Sequence, residues 1–426
     1  MWSVSMIKPF NSTKKLIAIL SFALLFVTTN AFAQNNTSST YSYFGLGELM
    51  QNSNGQTIGL GGTSLAYKGG SVLNLDNPAS LSQIDSLKFH FNIGSVIKFT
   101  RLNQGNDHDV INDFNLSRIA LGFKVSPRYA TAFSIAPYSG LGYEITKREK
   151  VLGDETYVIR SLKGTGGLNQ FMWSNGVKIT NDLSLGVNGI YIFGNNTRTE
   201  SVVIENGGTN VYINNSELIS KGLYFNVAAQ YAIDFGNYAI TVGGKYQPKI
   251  GVNAKQKVVI TNSNDLVERY SDEDDGDFDM PESYSVGFGL NKSKHLWIGG
   301  DYQYEKWSDT EIFNENNEFV DRNKFSFGVE YNPNDGYARK FLQRLSYRLG
   351  SFYDTGYIKV EDNKISSMGI SAGLGIPMAQ GKGMINLAVE FGTTGTLNNN
   401  LVREDFTRIT IDVSLFERWF QKRKYN

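Results

Sequence analysis

From Leu87 onward the chain alternates apolar and polar residues with a period of two. Leu87, Phe89, Phe91 and Ile93 interleave with Lys88, His90, Asn92 and Gly94. Ile119, Leu121 and Phe123 do the same with Arg118, Ala120, Gly122 and Lys124. That period puts successive side chains on opposite faces of a strand. It recurs over Leu223–Tyr231, Leu296–Tyr304, Phe325–Tyr331, Met368–Ile376, Ile385–Phe391 and Ile409–Leu415. Tight turns are expected at Ser126-Pro127-Arg128, Thr180-Asn181-Asp182 and Asp234-Phe235-Gly236-Asn237. Counted through, including one strand running unbroken from Tyr238 to Thr261, the pattern predicts about fourteen strands across 87–416.

The fold class that follows is all-β: a transmembrane antiparallel barrel, which needs an even number of strands. Connections after odd strands are mostly long, as at Arg101–Asn112, Asn262–Met280 and Ser308–Val320, whereas those after even strands are mostly short. Short periplasmic turns facing longer outer loops are the expected asymmetry. Asn332–Arg344 is long for a periplasmic turn, and Asn206–Asn210 short for an outer loop. The aromatic residues on the apolar face set the barrel apart from a soluble sandwich.

Ahead of the strands lies Ile58–Ser82, a Gly-rich stretch ending in Asn77-Pro78-Ala79. Gly59, Gly61 and Gly62 let backbone pass close to backbone, and Pro78 biases Asn77 towards an extended shape. Too short for a domain, residues 34–86 read as a plug inside the barrel. Lys14 and Lys15, the apolar run Leu16–Val27 and Ala31-Phe32-Ala33 read as a signal peptide over 1–33, cut before Gln34. The close, 417–426, is a basic and aromatic tail suited to the periplasmic interface.

Composition sharpens this picture. The 44 Gly, 27 Phe and 23 Tyr against 8 Pro suit a long antiparallel architecture with aromatic belts. With 41 basic and 41 acidic residues there is no electrostatic case for nucleic acid. Cysteine is absent, which excludes a lipoprotein anchor, disulfides and a thiol nucleophile. His90, His108 and His295 lie far apart, no lipase-like serine motif occurs, and an enzyme is not expected.

The face opposite the apolar one carries Arg118, Lys124, Arg348 and Arg408 with Asp301, Glu330, Glu390 and Asp412. Mixed signs argue for pairing inside a polar lumen that seats the plug, rather than for an ion-selective path. In the third strand Pro137, Tyr138, Gly140 and Gly142 interrupt the alternation. A proline in a central strand implies a bulge or a local opening, so these residues are a candidate lateral exit. Asp272, Asp274, Asp275 and Asp277 crowd one outer loop; they are a weak Ca²⁺ candidate, because their spacing is not that of an EF-hand. No other cofactor is expected.

The Gly-rich segment with Asn77-Pro78-Ala79, the stretch Met280-Pro281-Glu282-Ser283-Tyr284-Ser285-Val286-Gly287 and the strand count resemble the FadL/TodX-type outer-membrane transporters. The resemblance implies an N-terminal hatch, to which Asn77, Pro78 and Ala79 correspond. It also implies passive uptake of fatty-acid-like hydrophobic molecules and sideways release at a kinked third strand. No segment carries over a fatty-acid pocket. The expected setting is the Gram-negative outer membrane, among lipid and lipopolysaccharide. The alternative is a barrel of this kind that does not transport, but is a fixed subunit of a larger outer-membrane machine in biogenesis or secretion. Strands three to seven exceed the roughly 9–11 residues that a bilayer requires, leaving an outer rim on which other outer-membrane or periplasmic proteins could dock.

Overall fold

The computed structural model describes residues 37–51, 54–68, 72–86, 88–150, 156–204, 211–262, 270–293, 295–311, 319–333, 338–360, 362–378 and 382–418. The leader, and the tail beyond Arg418, lie outside them.

A two-residue strand, β1 (Glu48–Leu49), precedes the wall. The wall opens with β2 (Lys88–Gln104), β3 (Asp107–Ser126), β4 (Tyr129–Lys150) and β5 (Tyr157–Lys178). It continues through β6 (Leu183–Ile204), β7 (Val211–Phe235), β8 (Tyr238–Gln247), β9 (Ile250–Asn262) and β10 (Tyr270–Met280). Then come β11 (Ser283–Lys292), β12 (Leu296–Glu305), β13 (Arg322–Tyr331) and β14 (Ser346–Asp354). A small hairpin, β15 (Lys359–Val360) and β16 (Asn363–Lys364), leads to β17 (Ser367–Pro377), β18 (Gly383–Gly395) and β19 (Arg403–Arg418).

Each wall strand pairs antiparallel with its neighbour, and β19 pairs with β2 from Arg403↔Asn103 to Arg418↔Lys88, closing the ring. Counting β8 with its upper extension β9, and β11 with its upper extension β10, the wall has fourteen strands. Alternation sorts the faces as the sequence predicts. Phe225, Phe288, Phe325, Phe327, Tyr353 and Phe391 are exposed on the outer face, whereas Asn92, Arg348, Glu390 and Asp412 are buried inside.

Three details depart from the sequence reading. The expected strand Tyr238–Thr261 is broken at Pro248, which has no N–H to give a ladder. Below the break β8 pairs with β11; above it β9 pairs with β7 and β10. The acidic run expected in a loop is instead strand β10, where Glu273 is in register with Lys257 and Asp275 with Lys255. The expected outer loop Arg101–Asn112 is a continuation of β2 and β3 around a tight turn, with Gly105 at φ 57°.

The described residues between 37 and 86 run inside the wall. They include a short helix, Gly55–Ile58, capped reciprocally by Asn54 and Thr57, and a 3-10 helix, Pro78–Gln83, capped by Asn77. Most of their side chains are buried, among them Leu46, Leu60, Leu73, Leu75 and Leu81. The wall makes room with glycine. A Cβ on Gly176 would strike Pro78, on Gly186 Ala79, on Gly243 Leu65, on Gly328 Leu60 and on Gly350 Gly61. Gly61 itself has φ 68°, where a side chain would be strained.

Gly350→Val should therefore cost about 1–3 kcal/mol or more, because its obstacle is backbone that cannot swing away. Gly189→Ala, with nothing within 4 Å of its Cβ, should leave stability unchanged. Urea midpoints of the two variants, followed by the mobility difference between folded and unfolded barrel, check this.

Candidate functional site: the luminal segment and its contacts with the wall

The short helix and the turns after it bring Tyr67 against the far wall. Tyr67 donates from its hydroxyl to Glu330 Oε1 (2.9 Å), and Arg348 Nε donates to Glu330 Oε2 (2.5 Å). Arg348 Nη1 donates to Asn386 Oδ1 (2.9 Å), whose Nδ2 donates to Asp412 Oδ1 (3.2 Å). Asn92 Nδ2 donates to the other Asp412 oxygen (2.7 Å). Arg118 Nη2 then donates both to Asn92 Oδ1 (3.1 Å) and to the carbonyl of Leu73 (3.2 Å). This chain of bonds starts on the luminal segment, runs along the inner wall over β13, β14, β18, β19, β2 and β3, and returns to it.

Four of the eight luminal charges singled out in the sequence, Glu330, Arg348, Asp412 and Arg118, thus belong to one network. Asp301 stands apart and accepts from the backbone N–H groups of Ser64 (2.7 Å) and Leu65 (3.0 Å). Lys124 donates to the Ile84 carbonyl at the end of the segment (3.2 Å). Arg408 and Glu390 pair with each other at 2.7 Å. Asn77 is fully buried, accepts from Ala79 N (3.1 Å) and donates to the Leu65 carbonyl (2.6 Å). Gly62, at φ 88°, lies near Gln51 and Lys324.

The third wall strand, β4, is bulged between Pro137 and Ser139 in its pairing with β5. Its pairing with β3 runs only from Ser126↔Tyr129 to Ile119↔Ile135. Beyond that point the edge of β4 is taken by the luminal segment: Glu48 pairs with Gly140 and Leu49 with Ser139, while Met50 N donates to the Tyr138 carbonyl (2.8 Å). Ser42 and Gly142 exchange hydrogen bonds at 3.1 Å. The four residues Pro137, Tyr138, Gly140 and Gly142 therefore flank a seam in the wall that the segment bridges.

The same stretch is tied across the barrel by groups that sequence reasoning did not single out. Lys98 Nζ contacts Glu48 Oε1 at 2.6 Å, and Ser38 Oγ donates to Asp113 (2.5 Å). Ser39 Oγ and Thr40 N donate to Glu404 at 2.9 and 2.8 Å. Burial raises the Glu48 carboxyl, but the Lys98 ammonium and its hydrogen bond outweigh that and hold it below the usual range. Burial pushes the Tyr41 hydroxyl up to about 12, so it stays a donor, here to the Val402 carbonyl (2.5 Å).

The outer side is capped. Trp307 follows β12, Phe319 precedes β13 and Tyr357 follows β14; their rings meet at 4.6 Å (Trp307–Tyr357), 5.7 Å (Phe319–Tyr357) and 5.9 Å (Trp307–Phe319). The Tyr357 hydroxyl donates to Gly47 O (2.6 Å), and Arg198 Nη2 donates to Gly45 O (2.7 Å). Trp307, the largest fully buried side chain among the described residues, gave one signal in the sequence: an aromatic residue set just beyond a strand among charged neighbours, Lys306 and Asp309.

Inside the wall lie two cavities of about 170 Å³ each, both bordered by residues 49–51. The first is lined by Lys245, Asp301, Glu305 and Lys324 among amides and hydroxyls; the second mixes Glu48, Lys98 and Arg408 with Tyr41, Phe352 and Phe406. Arg322 borders both and is paired to Glu305 (3.0 Å) and Asp354 (2.5 Å). The Ca²⁺ candidates Asp272, Asp274, Asp275 and Asp277 lie on strand β10, and the side chains of the first three are outside the described ones. Among the described residues no three acidic or histidine side chains gather in a way that could hold a metal.

The family model of BamG matches residues 12–426. The chain belongs to the BamG family. No curated protein matches it. Among solved structures, this BamG-family chain is similar to the toluene transporter TbuX of Ralstonia pickettii, with 15% identity over 87% of this chain and 99% of the other, and a TM-score of 0.57. It is similar in the same way to a Pseudomonas aeruginosa FadL homologue, at 13% identity over 85% and 98%, TM-score 0.57. The Pseudomonas putida toluene transporter TodX matches at 15% over 88% and 100%, TM-score 0.57. At these identities the likeness is one of fold. The FadL-like architecture expected from the sequence is therefore the architecture of an outer-membrane barrel belonging to the BamG family.

Proposed function

We propose that this BamG-family chain is a plugged barrel that acts as an accessory subunit of a larger outer-membrane protein assembly. The observation that carries this reading is the hydrogen-bond network that begins at Tyr67 and ends at Leu73. A segment tied to buried charges through Tyr67 and Leu73 is built to stay, since opening it would take the donors Tyr67 and Gln56 from buried Glu330 and the Leu73 carbonyl from buried Arg118. The two cavities of about 170 Å³, the first largely polar and the second mixing charged with aromatic and aliphatic groups, fall short of the roughly 300–1,000 Å³ of an ordinary small-molecule site. Family membership points to outer-membrane proteins as partners, and the tall strands β4 to β7 offer them a rim. The leader over 1–33 would export the chain, and the exposed aromatic belt would meet lipid and lipopolysaccharide.

A second reading is favoured by the seam. Where β3 and β4 part beyond Ile119↔Ile135, the second cavity reaches Leu116 and Pro137. Under it the chain admits fatty-acid-like molecules without enzyme chemistry or cofactor. Gly59, Gly61, Gly62, Asn77, Pro78 and Ala79 form a gating hatch, and Pro137 to Gly142 form the lateral exit.

The deciding experiment is mild detergent extraction of a tagged chain from its own membrane, with mass spectrometry of what stays bound through size exclusion. Stoichiometric protein partners are the expected result. A lone barrel carrying hydrophobic small molecules would overturn the accessory reading in favour of uptake, to be followed by fatty-acid uptake assays on Pro137 and Asn77 variants.

A further inference from the structure

The long connection between β13 and β14 ends in a 3-10 turn, Phe341–Arg344, at the periplasmic end of the wall. Phe341 and Leu342 are 59% and 66% exposed. Side chains fix the turn in place: Arg344 Nε donates to the Ala338 carbonyl (2.5 Å), and the Tyr347 hydroxyl donates to the Leu342 carbonyl (2.9 Å). At the base of the connection Asn332 N donates to the His295 carbonyl (2.7 Å).

Tyr347 decides which way the turn lies. It pairs across the sheet with Tyr331 and Leu374, both exposed on the outer face, while its chain neighbours Ser346 and Arg348 are buried. The hydroxyl that holds Leu342 therefore comes from the lipid-facing side of the barrel. The turn continues the apolar belt downward, past the last aromatic residues of β13 and β14, and Arg339, Lys340 and Arg344 stand exposed around it.

We propose that Phe341 and Leu342 are an interfacial anchor. The two apolar side chains sink into the periplasmic leaflet of the outer membrane while the neighbouring cations contact phospholipid phosphates. An aromatic and a leucine beside Arg and Lys, at the water–lipid boundary and continuous with a lipid-facing wall, match the chemistry of an anionic bilayer surface. This anchor explains why a periplasmic connection is long where its counterparts are tight turns. It stands independently of whether the barrel transports or assists.

The absence of cysteine makes the test direct. Leu342→Cys in the full chain, labelled with bimane, is reconstituted into phosphatidylethanolamine vesicles containing brominated lipid, with and without phosphatidylglycerol. Asn106→Cys, exposed at the tip of the β2–β3 turn, serves as the water-facing control. The label at 342 should be quenched several-fold more than the control, from a depth of about 5–10 Å below the headgroups. Phosphatidylglycerol should increase that quenching, and the added variant Arg339→Gln/Lys340→Gln, which leaves Arg344 to hold the turn, should abolish the increase. A label at 342 as exposed to water as the control overturns the proposal. So does quenching indifferent to phosphatidylglycerol, or shielding of the label only after periplasmic proteins are supplied.

Discussion

Arg348→Ala is expected to destabilise the folded barrel by about 3–5 kcal/mol, the cost of leaving one member of a buried ion pair alone. The Arg348 side chain is 1% exposed and Glu330 6%, so neither charge has water to fall back on. Without the guanidinium, Glu330 keeps only Tyr67, Gln56 and Asn332 as hydrogen-bond donors, and Asn386 loses its link to β14. Arg348→Met combined with Glu330→Gln removes both charges and should lose much less, because no buried charge is then unpaired. The urea midpoints of wild type, single and double variant measure this. Limited proteolysis within 37–86 reports whether the luminal segment loosens together with the wall. An unchanged midpoint for Arg348→Ala would remove the network as the reason the segment stays in place.

Trp307→Ala is the other large effect, about 3–5 kcal/mol for removing a large buried aromatic ring. It empties the centre of the outer cap and removes the N–H that donates to Glu305 Oε2 at 2.7 Å. Glu305 keeps Arg322, so the loss falls on packing against Phe319 and Tyr357 rather than on charge. Faster hydrogen exchange around Leu46 and Tyr357, together with a lower Tm, is the expected outcome. In planar bilayers the variant should also leak ions, whereas the wild type should stay closed. A wild type that already conducts would contradict the accessory reading, whichever way the variant behaves.

The barrel was legible because lipid on one side and a polar lumen on the other force a strict alternation, which Phe325, Phe327, Val329 and Tyr331 display without interruption. Breaks within that rhythm were harder to see. Residues on both sides of Pro248 keep the pattern, so one strand was expected where two are stacked, and only the missing N–H marks the step. The acidic run from Asp272 reads in the sequence as a loop, because its register partners Lys255 and Lys257 on β9 come beside it only once β9 and β10 pair.

The luminal charges could be assigned to a face from their parity. Which of them meet is set by register, and register around a closed ring is not written in any local stretch. Gly176, Gly186, Gly243, Gly328 and Gly350 look in the sequence like weak points of strands; their use appears only with the segment that lies against them. Trp307, Phe319 and Tyr357 come from two separate loops, so nothing in their spacing announces a cap.

The way the luminal segment is tied has a consequence for how the molecule is made. Its first residues bond Asp113 on β3 and Glu404 on β19, and its middle bonds strands between them. The glycine positions leave no clearance for a chain sliding past. The route that avoids threading is for the segment to gather the strands as they form, with the β19–β2 seam joining last. Residues 37–86 would then be the mandrel on which the wall is wound, and a chain lacking them would fail at closure rather than become an open pore.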